Sequence, residues 1–183
     1  PVLLAAVVKT RIERFRETRR STRLDGLTGL LNHTAAKSSL QRLVEQTPQG
    51  GTLTVAMIDI DHFKSINDTY GHPVGDQVIR GLAWLLKGRL RTVYLIGRYG
   101  GEEFMVALPG VALQQAAPVI ERIRSDFSVL PHAHRGGALY ATFSAGLACY
   151  PVVQTAAGLT EIADRALMQA KRLGRNRVET AVA

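Results

Sequence analysis

Two adjacent glycines followed at once by two carboxylates, in the stretch Arg98-Tyr99-Gly100-Gly101-Glu102-Glu103-Phe104, constrain this chain more than any other feature. Apolar residues alternate on both sides, with Val93, Leu95 and Tyr99 before and Phe104, Val106 and Leu108 after. Alternation of this kind marks strands, and two strands joined by Gly-Gly read as a β-hairpin whose tight turn calls for positive φ, which glycine adopts without strain. The two acids sit where the backbone is barest, so a ligand can approach closely. Taken alone, the same stretch is equally a hairpin tip with solvated glutamates.

A second acidic strand end decides between these readings. Leu53 to Lys64 opens with a nearly continuous apolar run of strand length, the pattern of a buried strand. Its end carries Asp59 and Asp61, which share a face because strand side chains alternate. Carboxylates at the end of a buried strand are costly unless paired or bound to a cation. If this strand lies beside the hairpin, Asp59 and Glu102 converge on a Mg²⁺, an ion that takes one or two carboxylates plus substrate phosphates. Glu102 and Glu103 point to opposite faces, so one of them alone should share that site fully. Between the two elements, residues 66–76 read as a polar turn leading into a helix. There Asn67 and Asp76 offer a donor-plus-acceptor set suited to a guanine edge, although turns and helix caps use the same residues.

The ordered set Asp59-Ile-Asp-His-Phe-Lys64, Asn67-Asp-Thr-Tyr-Gly-His72, Gly75-Asp76 and Arg98-Tyr-Gly-Gly-Glu-Glu-Phe104 resembles the GGDEF family of diguanylate cyclases. Asp25 to Asn32 resembles the family's opening motif, Phe143 to Ala148 its late strand, and Ala163 to Arg177 its closing helix. The resemblance runs from residue 25 to about 179. It implies condensation of two GTP molecules into cyclic di-GMP with release of two pyrophosphates, by a homodimer with two Mg²⁺ (or Mn²⁺) per active site. It further implies that Asp59, the Ile60 carbonyl and Glu102 ligate metal, that Glu102 takes the 3′-hydroxyl proton, and that Glu103 is a second acid nearby. The amides of His62 and Phe63 would cradle phosphates, with Lys64 facing the developing charge. Asn67, Asp76 and His72 would hold guanine, Lys171 and Arg175, one helical turn apart, would clamp the γ-phosphate, and Gly100 and Gly101 would let the nucleotide lie against the hairpin. Three positions depart from the family's pattern. Its inhibitory Arg-x-x-Asp site reads Arg91-Thr92-Val93-Tyr94 here and is degenerate. The opening motif ends in His33 where arginine is usual, and Met168 stands where tyrosine is common. Two rivals remain, a non-catalytic module that binds GTP or cyclic di-GMP and another nucleotidyl cyclase. The full set of acids, Lys64 and the Asn67/Asp76 pair argue against both.

Length and charge set the frame for this reading. A chain of 183 residues suits one domain with a real core. The single cysteine, Cys149, forms no internal disulfide and fits a reducing, cytoplasmic compartment. Of the net charge of +8, +5 comes from residues 9–23, where seven basic side chains face Glu13 and Glu17. That run is local and lacks interleaved aromatics beyond Phe15, which argues against nucleic acid as a partner. Residues 1–8 are apolar and too few to span a bilayer. They read equally as the cytoplasmic exit of an inner-membrane helix or as a coiled-coil stalk with Leu4, Val8, Ile12 and Phe15 in its seam. Residues 1–24 are thus expected to be a helical stalk or linker, and 25–183 the cyclase domain. Helices are expected at 33–46, 75–90, 112–127 and 159–173, strands at 52–60, 92–99, 102–108 and 138–148, and a polar loop at 128–137. From residue 52 this gives the α+β, ferredoxin-like βαββαβ palm with a mainly antiparallel sheet.

Overall fold

The computed structural model of the chain describes residues 2–181. Pro1, residues 182–183 and the side chains of Val2, Leu3, Leu4, Arg19, Arg20 and Ser21 lie outside the described residues, and so do the parts of the apolar start and basic run that they carry. The chain opens with helix α1 (Val2–Ser21), followed by α2 (His33–Gln46), strand β1 (Leu53–Ile60), α3 (Phe63–Tyr70) and α4 (His72–Arg89). Next come the hairpin strands β2 (Leu95–Arg98) and β3 (Glu103–Pro109), then α5 (Leu113–Ser128) and a small hairpin of β4 (His132–His134) and β5 (Gly137–Leu139). The last elements are β6 (Phe143–Tyr150), α6 (Ala156–Arg172) and β7 (Val178–Thr180).

The main sheet has the order β2-β3-β1-β6-β7, antiparallel throughout except for the parallel β6–β7 pair. Leaving out β7, this is the order of the expected βαββαβ palm. β1 is buried along its whole length because both sheet faces are covered. Ala56, Ile58, Ile60, Phe104 and Val106 pack on the α4/α5 side with Leu82, Ile120 and Phe127. Val55, Met57, Met105 and Ala107 pack on the α2/α6 side with Leu40, Leu159 and Leu167. A strand buried on both faces needs apolar residues at every position, which is why its sequence does not alternate. On the second face β6 presents Gly146, where a Cβ would fall inside the backbone of Ala163 and Leu167, so this bare position sets how closely α6 approaches.

Several local expectations give way. Residues 63–70 form a helix rather than a turn, followed by Gly71 at φ 89 and by α4, which has Pro73 in its first turn. α3 buries only Ile66, so its polar composition hides the helical period. The expected strand at 92–99 is confined to residues 95–98, because residues 91–94 form a turn closed by Tyr94 N–H to the Arg91 carbonyl at 3.0 Å. The loop at 128–137 contributes to the β4–β5 hairpin, and the strand expected at 138–148 divides into β5 and β6. α1 is one 20-residue helix on which Val8, Ile12 and Phe15 stay 49%, 45% and 60% exposed. Among the described residues no helix is long and apolar enough to cross a membrane.

Candidate active site

The acids at the end of β1 meet the β2–β3 hairpin in register, with Asp59 opposite Glu103 on one side and opposite Ser144 on the other. Directly opposite residues in a sheet share a face, so Glu103 sits on the same side as Asp59. Glu102 joins them from the loop, and its carbonyl accepts the Ile60 N–H at 3.2 Å. The register thus puts Glu103 on the face of Asp59, while Glu102 reaches the end of the strand through its backbone. Burial pushes the Asp59 carboxyl above its usual range, Lys171 partly offsets this, and the charges of Glu102 and Asp61 add to it. Burial likewise raises Glu103, helped by Asp59 and Asp164. Tyr99 is raised by burial and by Glu103 and Asp164. Several carboxylates thus crowd a half-buried spot with one lysine among them. Lys171 Nζ lies 2.8 Å from Asp59 Oδ2.

This donor set fits a divalent cation. Among the described residues no three His, Cys, Asp or Glu side chains form a self-sufficient metal site. Mg²⁺, however, binds through one or two carboxylates completed by carbonyl, water and phosphate oxygens. Asp59, Ile60 and Glu102 lie together at the strand end, where the Ile60 N–H meets the Glu102 carbonyl. A cation there would offset both the burial that chiefly raises Asp59 and Glu103 and the carboxylate repulsion that adds to it.

The hairpin loop spans Tyr99 to Glu102, and the N–H groups of Tyr99 and Gly100 both reach the Glu103 carbonyl, at 2.8 and 3.2 Å. Neither Gly100 nor Gly101 has positive φ, so the left-handed turn expected of Gly-Gly is not formed. A four-residue loop does not require it. What the glycines provide is bareness: Gly101 is exposed with nothing within 4 Å of where a Cβ would stand, while at Gly100 that atom would touch Glu103. The loop is braced from outside. Arg98 donates to the Gly101 carbonyl through Nε and Nη2 at 3.0 and 2.8 Å, and pairs with Asp25 at 3.1 Å. Asp25 is raised by burial but held below its usual range overall by the Thr28 hydroxyl and N–H and by Arg98. His33 adds a ring contact to Tyr99 and an Nδ1 hydrogen bond to its carbonyl at 2.7 Å. The opening motif is thus a brace for the hairpin.

The nucleotide-reading candidates gather on α3 and α4. His62 precedes α3 with left-handed backbone (φ 54), and its side chain and that of Lys64 are exposed. Phe63 and Asn67 are half-buried, and their side chains lie so close to Gly75 that a Cβ there would fall inside the Asn67 carboxamide. Gly75 therefore lets α4 pack directly on the Asn67 and Phe63 side chains, with half-buried Asp76 the next residue along, a role that sequence reasoning missed. His72 is exposed at the start of α4. Lys171 and Arg175 are not one turn apart on a helix. α6 stops at Arg172, Gly174 follows at φ 117, and Arg175 stands in left-handed backbone at φ 64 with its side chain exposed. A cavity of about 740 Å³ opens beside Tyr99 and Glu103 on the α2/α6 side, opposite the Asn67/Asp76 side. Arg91 is exposed, and Tyr94 packs partly against the core.

Residues 22–177 match the family described as diguanylate cyclase, GGDEF domain, and the chain belongs to that family. It is 40% identical to the diguanylate cyclase DgcP of Pseudomonas aeruginosa over 90% of this chain and 25% of that protein. It is 41% identical to the response regulator PleD of Caulobacter vibrioides over 97% of this chain and 42% of that protein. The chain thus spans well under half of these relatives. A crystal structure of the coiled coil and GGDEF domain of DgcB from Caulobacter crescentus, in complex with c-di-GMP, superposes with a TM-score of 0.91 at 36% identity, covering 97% of this chain and 95% of that one.

Proposed function

We propose that this chain is a diguanylate cyclase domain that joins two GTP molecules into cyclic di-GMP and releases two pyrophosphates. The observation that carries this is the group Asp59, Glu102 and Glu103 around Lys171 at the end of β1, in a chain of this family. Two Mg²⁺ ions, or Mn²⁺ in their place, would be held by Asp59, the Ile60 carbonyl and Glu102, and when bound they neutralise charge on the reacting phosphates. Glu102 takes the proton of the attacking 3′-hydroxyl, and Glu103 holds a second negative charge beside it. The N–H groups of His62 and Phe63, at the start of α3, bind phosphate oxygens, and Lys64 faces the charge that builds in transfer. Asn67 and Asp76 read the guanine edge, with His72 lining that pocket. Lys171 and Arg175 clamp the γ-phosphate, and a cation held by Asp59 would supply the counter-charge that Lys171 now gives it at 2.8 Å. Gly100 and Gly101 leave room for the nucleotide over the hairpin.

One domain holds one GTP, so two sites must face each other, and residues 1–24 form the stalk that brings two copies of domain 25–183 together. The exposed Val8 and Ile12 on α1 support a coiled-coil seam. The domain works in the cytoplasm, with any membrane contact made through a helix upstream of it. The test is incubation of the purified protein with GTP and Mg²⁺ and chromatography of the products. Cyclic di-GMP should form from GTP and not from ATP, and once residues 1–24 are removed specific activity should rise with protein concentration. A demonstrably dimeric protein that makes no cyclic dinucleotide sinks the reading.

Feedback should be weak. An arginine-aspartate pair grips guanine partly through a charged acceptor, and Tyr94 supplies none. Losing a charge-assisted hydrogen bond costs about 1.5–3 kcal/mol, or about ten- to a hundredfold in affinity. Product should therefore inhibit only in competition with GTP, and Arg91→Ala should leave that inhibition unchanged. Tight, non-competitive inhibition abolished by Arg91→Ala would show a working site.

A further inference from the structure

We propose that Asp61 is a positioning residue that sets the Arg175 loop for the terminal phosphates of the nucleotide, an inference that rests on the cyclase reading above. Asp61 follows β1 and is 4% exposed, and a carboxylate so buried must find donors. It finds three. Ser144 Oγ donates to Oδ1 at 2.6 Å, while Thr142 Oγ1 and the Asn176 N–H donate to Oδ2 at 2.7 and 3.0 Å. The first two donors come from the approach and start of β6, and the third from the loop after α6. One carboxylate therefore ties that loop to the end of the strand that carries Asp59.

The loop needs tying. Arg175 and Asn176 are consecutive non-glycine residues in left-handed backbone, at φ 64 and 49, where an L side chain crowds its own carbonyl. Such a conformation persists only where surrounding contacts over-determine it. Beside the Asp61 bond stand the Arg175 N–H to the Ala170 carbonyl at 3.0 Å, a short bond from Arg124 to the Asn176 side chain and, one residue on, the Ala145 N–H of β6 to the Arg177 carbonyl at 2.9 Å. Arg124 is itself held by Glu121. The outcome of this network is an exposed Arg175 guanidinium a few residues beyond Lys171. The two aspartates at and just beyond the end of β1 thus divide the work, Asp59 meeting Lys171 and Asp61 fixing the loop that presents Arg175. Without the Asp61 charge the loop relaxes toward ordinary φ and Arg175 no longer points where the phosphates lie.

Asp61→Asn keeps the shape and one acceptor and removes the charge, so the loop should loosen without losing its fold. In the full chain, KM for GTP should rise about fivefold to tenfold with kcat within about twofold, roughly the difference between a charged and a neutral hydrogen bond. Calorimetry should show the same loss for guanosine 5′-(α,β-methylene)triphosphate and none for GMP, which lacks the phosphates that Arg175 would hold. In an Arg175→Ala background Asp61→Asn should cost nothing further, because the two residues act as one unit. Equal losses for GMP and the triphosphate analogue, or additive losses in the double variant, would mean that Asp61 serves the fold alone and overturn the proposal. Should Asp61→Asn not fold, Thr142→Val gives the same readouts with the charge kept. It is close in shape, removes the Oγ1 donor that holds Asp61 Oδ2 at 2.7 Å, and should weaken the triphosphate analogue alone by about two- to threefold. An equal loss for GMP would overturn the proposal. A wild-type chain that binds the analogue but makes no cyclic dinucleotide overturns the cyclase reading and leaves this one standing.

Discussion

Asp59→Asn is expected to lower cyclic dinucleotide formation by about a thousandfold or more and to leave the melting temperature within a few degrees of wild type. The loss follows from position. Asp59 is buried at the strand end, opposite Glu103 and close to Glu102, so it is the carboxylate best placed to hold a cation between the sheet and a bound triphosphate. A metal contact of this kind supplies several kcal/mol of charge stabilisation, and each 1.4 kcal/mol is tenfold in rate. The tolerance follows from electrostatics. Asparagine has the same shape, and removing the charge relieves repulsion from Glu102 and Asp61. Lys171 loses its partner at 2.8 Å but stays beside Glu103, so it is not left without a counter-charge. Glu102→Gln should behave alike, because it too removes a charge without changing shape. Mn²⁺ titration of the GTP-analogue complex separates the causes: both variants should bind the ion more weakly and bind GMP as wild type does. Near-normal turnover in either variant would place the metal site elsewhere.

How much of this was legible beforehand depends on how far apart the partners lie. β1 and its acids could be read locally, since a strand buried on both faces leaves a nearly continuous apolar run, broken only by Thr54 before it ends at Asp59. α4, α5 and α6 could be read from helical periodicity, with Val78, Ile79 and Leu82 on the buried face of α4 as expected. The polar α3 could not, because it buries one side chain and is held by the approach of Asn67 and Phe63 to Gly75. The short strands β4, β5 and β7 have only three residues each, too few for any period. The contacts that finish the site join residues far apart in sequence: Arg98 with Asp25 at a separation of 73, Lys171 with Asp59 at 112 and Asn176 with Asp61 at 115. Composition and spacing mark such residues as charged, and only the folded chain shows what each one holds. The resemblance to a family named the hairpin acids, but it gave no account of Asp25, Asp61 or Gly75.

Gly146→Ala and Gly101→Ala should fail in opposite ways. At Gly146, on the α2/α6 face of β6, an added methyl would fall on the Ala163 carbonyl and the Leu167 N–H, which are backbone atoms of a regular helix and cannot swing aside. α6 would have to lift. Leu159, Ala163 and Leu167 would lose their packing against the face that holds Leu53, Val55 and Met57. Overpacking a core typically costs about 1–3 kcal/mol, and a clash with backbone belongs at or beyond the upper end. At about 3 kcal/mol the melting temperature of a domain of this size falls by about 6–12 °C. Lys171 rides on the same helix, so turnover should fall as well. Gly101 is the opposite case. Its Cβ would meet nothing within 4 Å and its φ is not left-handed, so alanine should leave the melting temperature unchanged. It sits at the exposed tip where the nucleotide is proposed to lie, so its cost should appear in KM for GTP. Thermal melts and steady-state kinetics on both variants decide the matter. A stable Gly146→Ala would mean that α6 can shift without loss, and an unchanged KM in Gly101→Ala would mean that the nucleotide does not lie against the hairpin.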